Sequence, residues 1–256
     1  MNLCRPSTAD LIILVVLAFV TPFWDFAVVK RLKAAPNSSL RVRFYCMTLF
    51  SLWVLAIACW FWRGGVILPA WHGIVRPAWL FSSPWRTWTL AVILVGFFAL
   101  ALAPGLHCLF QPKRIGAYTR AYKSVALFLP HTQPERLLFA FLSVSAGVCE
   151  EWIFRGFVLQ TLHSTMCLPW TAALLVSSML FGWNHLYQGS RALLTTTVTG
   201  LALGLAAVSS GGLVLPIVLH TLLDLQLLLV FHPGLPADIK LSTIDNPPVH
   251  ESVAPR

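Results

Sequence analysis

The chain has 256 residues, of which 57% are apolar and only 11% are charged, and its mean hydropathy is +0.76. Soluble domains carry about 25% charged residues, so this composition excludes an ordinary soluble fold and predicts an integral membrane protein. The formal net charge is +9. The basic residues of the chain lie in loops between apolar runs, where they can meet anionic lipid headgroups, so no nucleic-acid partner is expected.

Apolar runs of about 18 residues or more recur along the chain, and each is long enough to cross roughly 30 Å of hydrocarbon. They lack the two-residue alternation of barrel strands, so the predicted fold class is all-α, a polytopic membrane helix bundle. The segment 64–83 is interrupted by Pro69, Gly73 and Pro77, which indicates a re-entrant or interfacial segment. The predicted transmembrane helices are 11–29, 44–63, 87–110, 137–163, 169–186, 193–210 and 212–231.

The sequence divides into three parts. Residues 1–135 hold the N-terminal transmembrane helices and basic loops, residues 136–231 hold the later helices, and residues 232–256 form a polar tail. The first run is too long and too aromatic for a signal-peptide core, so we expect it to remain as a helix. Clusters of Lys and Arg place the loops after the first and third helices in the cytoplasm, with the N-terminus outside.

Four carboxylates stand inside the predicted spans, where a charged group costs at least about 2.5 to 3.5 kcal/mol at the bilayer centre. Such residues are candidates for function, and the four are Asp25, Glu150, Glu151 and Asp224. Asp25 lies near the end of the first helix and close to Lys30 and Arg31, so we interpret it as their interfacial partner.

The adjacent glutamates lie near the midpoint of one predicted helix. Glu151 and Arg155 are four residues apart, so they share a helix face and can form an ion pair. Glu150 points about 100° away from Glu151 and lacks that partner. A carboxylate that faces a protected polar cavity is a candidate general base, whereas a structural ion-pair network is the alternative.

Two histidines lie on later helices. His185 comes near the end of one apolar helix, and His220 shares a helix face with Asp224 at a spacing of four residues. Burying each of these polar groups is costly unless they converge and satisfy one another. The sequence therefore predicts that the two histidines meet the glutamates in one small bundle.

These residues resemble the three motifs of the CPBP family, the CAAX-protease-like (Abi) family of intramembrane glutamic-type endopeptidases. The motif EExxxR stands at residues 150–155, FxxxH at 181–185 and the HxxxD form of HxxxN at 220–224. The resemblance covers roughly residues 136–230, which makes residues 136–231 the expected catalytic helical core. It extends to the earlier helices only by analogy.

The resemblance implies a role for each matched residue. Glu150 and His185 would activate the water that attacks a scissile amide, while Glu151 and Arg155 would organise the site. His220 would stabilise the oxyanion together with the residue four later, which is Asp224 here and Asn in many relatives. An ionised Asp cannot donate a hydrogen bond, so we expect Asp224 to accept one from His220 and fix the orientation of its ring.

Three alternatives remain open from the sequence. A zinc ion held by Glu150, His185 and His220 would be a second enzymatic solution, although the resemblance implies no cofactor. The chain could instead be a non-catalytic immunity or peptide-binding scaffold protein, or a small-molecule transporter. The resemblance favours a protease whose partners are the lipid bilayer and a membrane-associated peptide or protein, in a bacterial inner membrane.

Overall fold

The computed structural model describes residues 5–34, 38–62, 74, 77–111, 118 and 126–230. Within these residues the secondary structure is helical and contains no strand, which confirms the predicted all-α fold. Seven main helices follow one another in these ranges: α1 (Thr8–Lys33), α2 (Ser38–Trp62), α3 (Pro84–Phe110), α4 (Gln133–Thr165), α5 (Trp170–Trp183), α6 (Ser190–Ser210) and α7 (Val214–Val230).

Among the described helices, α1, α2, α3, α4 and α6 are long and apolar enough to cross a membrane. The chain is therefore an integral membrane protein, as its composition predicts. The helices α5 and α7 are shorter than the predicted spans. The helix α5 has 14 residues, and α7 is interrupted by a turn at Gln226. The predicted re-entrant segment and the polar tail lie largely outside the described residues, apart from a short helix at Ala78–Phe81.

The helix α4 lies at the centre of the bundle. It packs against α2, α5 and α7, and 56% of its most apolar stretch is buried, a larger share than in the other four long helices. Its register changes from α-helical to π-helical at Trp152–Val158, directly after the two glutamates. Isolated π-helical turns of this kind often occur at functional sites.

A buried polar cluster fixes the first turn of α4. Thr132 and Glu135 form a reciprocal capping box, and the backbone N–H of His131 donates to the Glu135 carboxylate over 2.6 Å. Arg41 and Ser38 of α2 also donate to this carboxylate, which is fully buried. The start of α4 is thereby held against α2.

Two glycines allow the helices around α4 to approach closely. A Cβ atom on Gly182 of α5 would lie 2.7 Å from the carbonyl oxygen of Leu193 and 2.9 Å from the amide nitrogen of Thr197, both on α6. A Cβ atom on Gly147 of α4 would lie 3.1 Å from the carbonyl oxygen of Ile217 on α7. The contact at Gly147 thus brings α4 against α7, and the contact at Gly182 brings the end of α5 against α6.

Candidate active site

The predicted ion pair between Glu151 and Arg155 is present in the interior of the bundle. Nη1 of Arg155 donates to Oε1 of Glu151 over 2.7 Å, and the two side chains are 2% and 0% exposed respectively. Nη2 of Arg155 donates over 2.7 Å to the carbonyl oxygen of Gly200 on α6. Arg155 therefore connects Glu151 of α4 to α6. The acceptor on α6 is a backbone carbonyl oxygen, which a pattern of side chains could not predict.

His220 is oriented by Glu151. Its Nδ1 lies 2.8 Å from Oε1 of Glu151, and because a carboxylate oxygen only accepts, Nδ1 carries the proton. The other ring nitrogen, Nε2, lies 3.9 Å from Oδ2 of Asp224, which is too far for a hydrogen bond. The expectation that Asp224 accepts from His220 is therefore wrong for this geometry, and Glu151 takes that place.

Glu150 faces both histidines. Its Oε2 atom lies 4.0 Å from Nε2 of His185 and 3.9 Å from Nε2 of His220. This oxygen is buried and has no hydrogen-bond partner among the described residues. The angle of about 100° between successive residues of a helix predicted that Glu150 would not share the ion pair of Glu151 with Arg155. In the structure Glu150 faces the two imidazoles instead.

His185 follows the last turn of α5. Its Nδ1 lies 2.9 Å from the carbonyl oxygen of Phe181, so Nδ1 donates and Nε2 faces Glu150. The Phe181 ring lies 4.8 Å from the His185 ring and 4.7 Å from the guanidinium carbon of Arg155. The aromatic residue of the second motif therefore packs between the His185 ring and the Arg155 guanidinium.

Asp224 lies at the more exposed side of the site. Its side chain is 34% exposed, compared with 15% for Glu150 and 8% for His220. The structure thus brings together all the predicted site residues, namely Glu150, Glu151, Arg155, His185, His220 and Asp224.

Two further residues near Glu150 were not assigned to the site from the sequence. Asp25 of α1 makes no ion pair with Lys30 or Arg31, although all three side chains lie within the described residues. Tyr187 stacks near His185, with the ring centroids 6.2 Å apart. Burial, together with Asp25 and other nearby carboxylates, raises the pKa of Tyr187 well above its usual range, so its hydroxyl stays protonated.

The arrangement does not fit the zinc alternative. A tetrahedral zinc ion with bonds of about 2.0 to 2.2 Å places its donor atoms roughly 3.3 to 3.6 Å apart. Oε2 of Glu150 stands 3.9 and 4.0 Å from the two histidine nitrogens. In the part of the chain that the structure describes, no group of three or more His, Cys, Asp and Glu side chains is placed to hold a metal ion.

Comparison with known proteins agrees with the motifs. Residues 132–226 match the family model described as type II CAAX prenyl endopeptidase, Rce1-like, which confirms the resemblance over these residues. An uncharacterized 24.3 kDa protein of Escherichia coli is 31% identical over 140 residues, which are 54% of this chain and 58% of that protein. The chain thus spans little more than half the length of this curated relative. No solved structure matches the chain.

Proposed function

We propose that the protein is an intramembrane endopeptidase that hydrolyses a peptide bond of a membrane-associated protein or peptide. The match of residues 132–226 to the CAAX endopeptidase family supports this class of activity. The observation that carries the mechanism is the buried, unpartnered Oε2 atom of Glu150, placed about equally far from the two imidazole nitrogens.

Glu150 and His185 activate the attacking water. Their 4.0 Å separation exceeds a direct hydrogen bond but suits one bridging water molecule. Since Nδ1 of His185 is the protonated nitrogen, both Nε2 and the Glu150 carboxylate accept, and together they hold both protons of that water. The water oxygen then attacks the scissile carbonyl carbon while one of its protons passes to Glu150.

His220 stabilises the oxyanion. Nδ1–H of His220 is held by Glu151, and the carboxylates of Glu150 and Asp224, each 3.9 Å from Nε2, favour a second proton on the ring, so that Nε2–H faces the same region as Glu150. A preorganised donor of this kind is worth about 2.7 to 4 kcal/mol in the transition state. When the intermediate collapses, the C–N bond breaks and Glu150 passes its proton to the leaving nitrogen. The second proton of the water, which the new carboxyl group still carries, passes to Nε2 of His185, so the products are a carboxylate and an amine.

The substrate reaches the site from within or beside the membrane. Glu150 lies on α4, whose most apolar stretch is largely buried among other helices, so a soluble folded protein has no direct access. Asp224, the most exposed of the six site residues, marks the side where water and substrate enter. We place the protein in a bacterial inner membrane.

The test compares the membrane proteomes of cells that carry the native protein or Glu150→Gln at equal expression, by mass spectrometry of terminal peptides. We expect at least one new terminus that disappears with Glu150→Gln. Glu251→Gln, a change outside the family-matched residues, is the control and should retain it. If Glu150→Gln leaves every terminus and any phenotype unchanged, the protein is a binding or immunity scaffold and not a protease.

A further inference from the structure

The first helix contacts the residues immediately before His185. The indole Nε1 of Trp183 donates over 2.8 Å to the carbonyl oxygen of Ala18, and Nδ2 of Asn184 donates over 3.0 Å to that of Leu17. The hydroxyl of Thr21 contacts Oδ1 of Asn184 at hydrogen-bonding distance. These contacts join residues more than 160 positions apart and lie partly outside the family-matched segment.

The local backbone of α1 explains why its carbonyl groups are available. Residues Val16–Val20 form a π-helical turn inside the otherwise α-helical α1. Such a turn disturbs the regular hydrogen-bond ladder, and backbone polar groups within a bilayer must find partners in the protein. The side chains of Trp183 and Asn184 supply N–H donors to this turn.

The end of α5 has the complementary requirement. Its 14 residues span only about 21 Å, so its last carbonyl groups lie at membrane depth and need donors. Nδ2 of Asn184 donates over 2.8 Å to the carbonyl oxygen of Leu180, and Nδ1 of His185 bonds that of Phe181. The end of α5 thus orients His185 through the carbonyl group of Phe181. Asn184 connects this helix end to the π-helical turn of α1.

We propose that α1 is part of the catalytic site, in which Thr21 and the π-helical turn hold Asn184 and thereby keep Nε2 of His185 facing Glu150. This inference rests on the proposed protease function. Asn184, Thr21 and Trp183 are positioning residues, since they act through His185. Asp25 lies one helical turn beyond Thr21 and therefore shares its face of α1.

The matched variants are Thr21→Val, which removes the hydroxyl at nearly constant volume, and Thr21→Ser, which keeps it. Thr195→Val is the control, because the Thr195 hydroxyl bonds only carbonyl oxygens of its own helix, α6. Trp183→Phe removes the second contact with α1 independently. Each variant is purified as the full chain in detergent, and only preparations that elute as a single folded species are compared.

The first measurement is the rate at which diethyl pyrocarbonate modifies His185, followed by mass spectrometry of the peptide that contains it. The His185 side chain is 17% exposed, so the native rate should be low. We expect the rate to rise about three- to tenfold in Thr21→Val and Trp183→Phe, but not in Thr21→Ser or Thr195→Val. An unchanged rate in both Thr21→Val and Trp183→Phe would overturn the proposal. This measurement does not depend on proteolysis.

The second measurement is the cleavage of a peptide that carries the terminus identified with the native protein. Misplacing a catalytic group by about 1 Å costs up to 100-fold, so we expect kcat to fall about tenfold in Thr21→Val while KM stays within about twofold. Thr21→Ser should restore kcat. An unchanged kcat in Thr21→Val would refute the positioning role. If Glu150→Gln cleaved the peptide as fast as the native protein, the proposed protease function would instead be refuted.

Discussion

Nδ1 of His220 lies 2.8 Å from Oε1 of Glu151, the same oxygen that accepts from Nη1 of Arg155 over 2.7 Å. One buried carboxylate oxygen thus binds a donor from its own helix and a donor from α7. The neighbouring Glu150 is left free of both and faces Nε2 of the two histidines. Of the two adjacent glutamates, Glu151 therefore orients neighbouring side chains, and Glu150 is left available for the chemistry that we propose.

The first prediction concerns Glu151. Glu151→Gln leaves the Arg155 guanidinium, which is 2% exposed, without its charge partner, and breaking a buried pair costs about 3 to 5 kcal/mol. We expect the free energy of unfolding in mixed micelles, measured by titration with dodecyl sulfate, to fall by about that amount. The double variant Glu151→Gln/Arg155→Met should lose less than the sum of the single variants. Additive losses would contradict the coupling.

The second prediction concerns Asp224. Because Glu151 orients His220 and Asp224 stands 3.9 Å from Nε2, Asp224→Asn should keep the ring in place. We expect the initial cleavage rate to fall less than about tenfold in Asp224→Asn and about 100-fold or more in His220→Gln, which loses the oxyanion donor. A folded Asp224→Asn protein without activity would show that the carboxylate itself is required.

Local relationships were predictable from the sequence. The pair Glu151 and Arg155 follows from the four-residue spacing, and the separate orientation of Glu150 follows from the 100° turn per residue. The seven apolar regions are helical as expected, because helices satisfy the backbone within lipid. Convergence of the two histidines on Glu150 follows from the high cost of burying each polar group alone.

Long-range relationships could not be predicted in the same way. Asp25 was assigned to Lys30 and Arg31 because they are near in sequence, but it forms an ion pair with neither of them in the described structure. His220 was paired with Asp224 on its own helix, whereas Glu151, 69 residues away, lies closer. The π-helical turn at Val16–Val20 has no signature in an apolar run, so its contacts with α5 were also missed.

The third prediction concerns the contact between α5 and α6. Gly182→Ala would place a Cβ atom 2.7 Å from a backbone oxygen of α6, so the two helices must separate. We expect the free energy of unfolding to fall by about 1 to 3 kcal/mol. Gly96→Ala in α3 is the control, since its Cβ atom would meet nothing within 4 Å, and helix propensity should stabilise it by about 0.5 to 1 kcal/mol. Equal stability of the two variants would refute the close packing.

The fourth prediction separates stability from catalysis by comparing two glutamates of α4, the fully buried Glu135 and the partly exposed Glu150. Glu135 accepts hydrogen bonds from the backbone of its own capping box and from Arg41, whereas Oε2 of Glu150 has no partner among the described residues. Glu135→Gln leaves Arg41 buried without its counter-charge, which should lower the free energy of unfolding by about 3 to 5 kcal/mol. Glu150→Gln removes a carboxylate that makes no such bond, so its unfolding should change by less than about 1 kcal/mol.

The two variants should behave in the opposite way in the cleavage assay. The folded fraction of Glu135→Gln should keep a kcat within about threefold of the native value, because its site residues are untouched. Glu150→Gln should lose at least about 100-fold in kcat, since a general base contributes 10² to 10⁴ in rate. If Glu135→Gln also lost activity in its folded fraction, the start of α4 would have to be treated as part of the site rather than as its anchor.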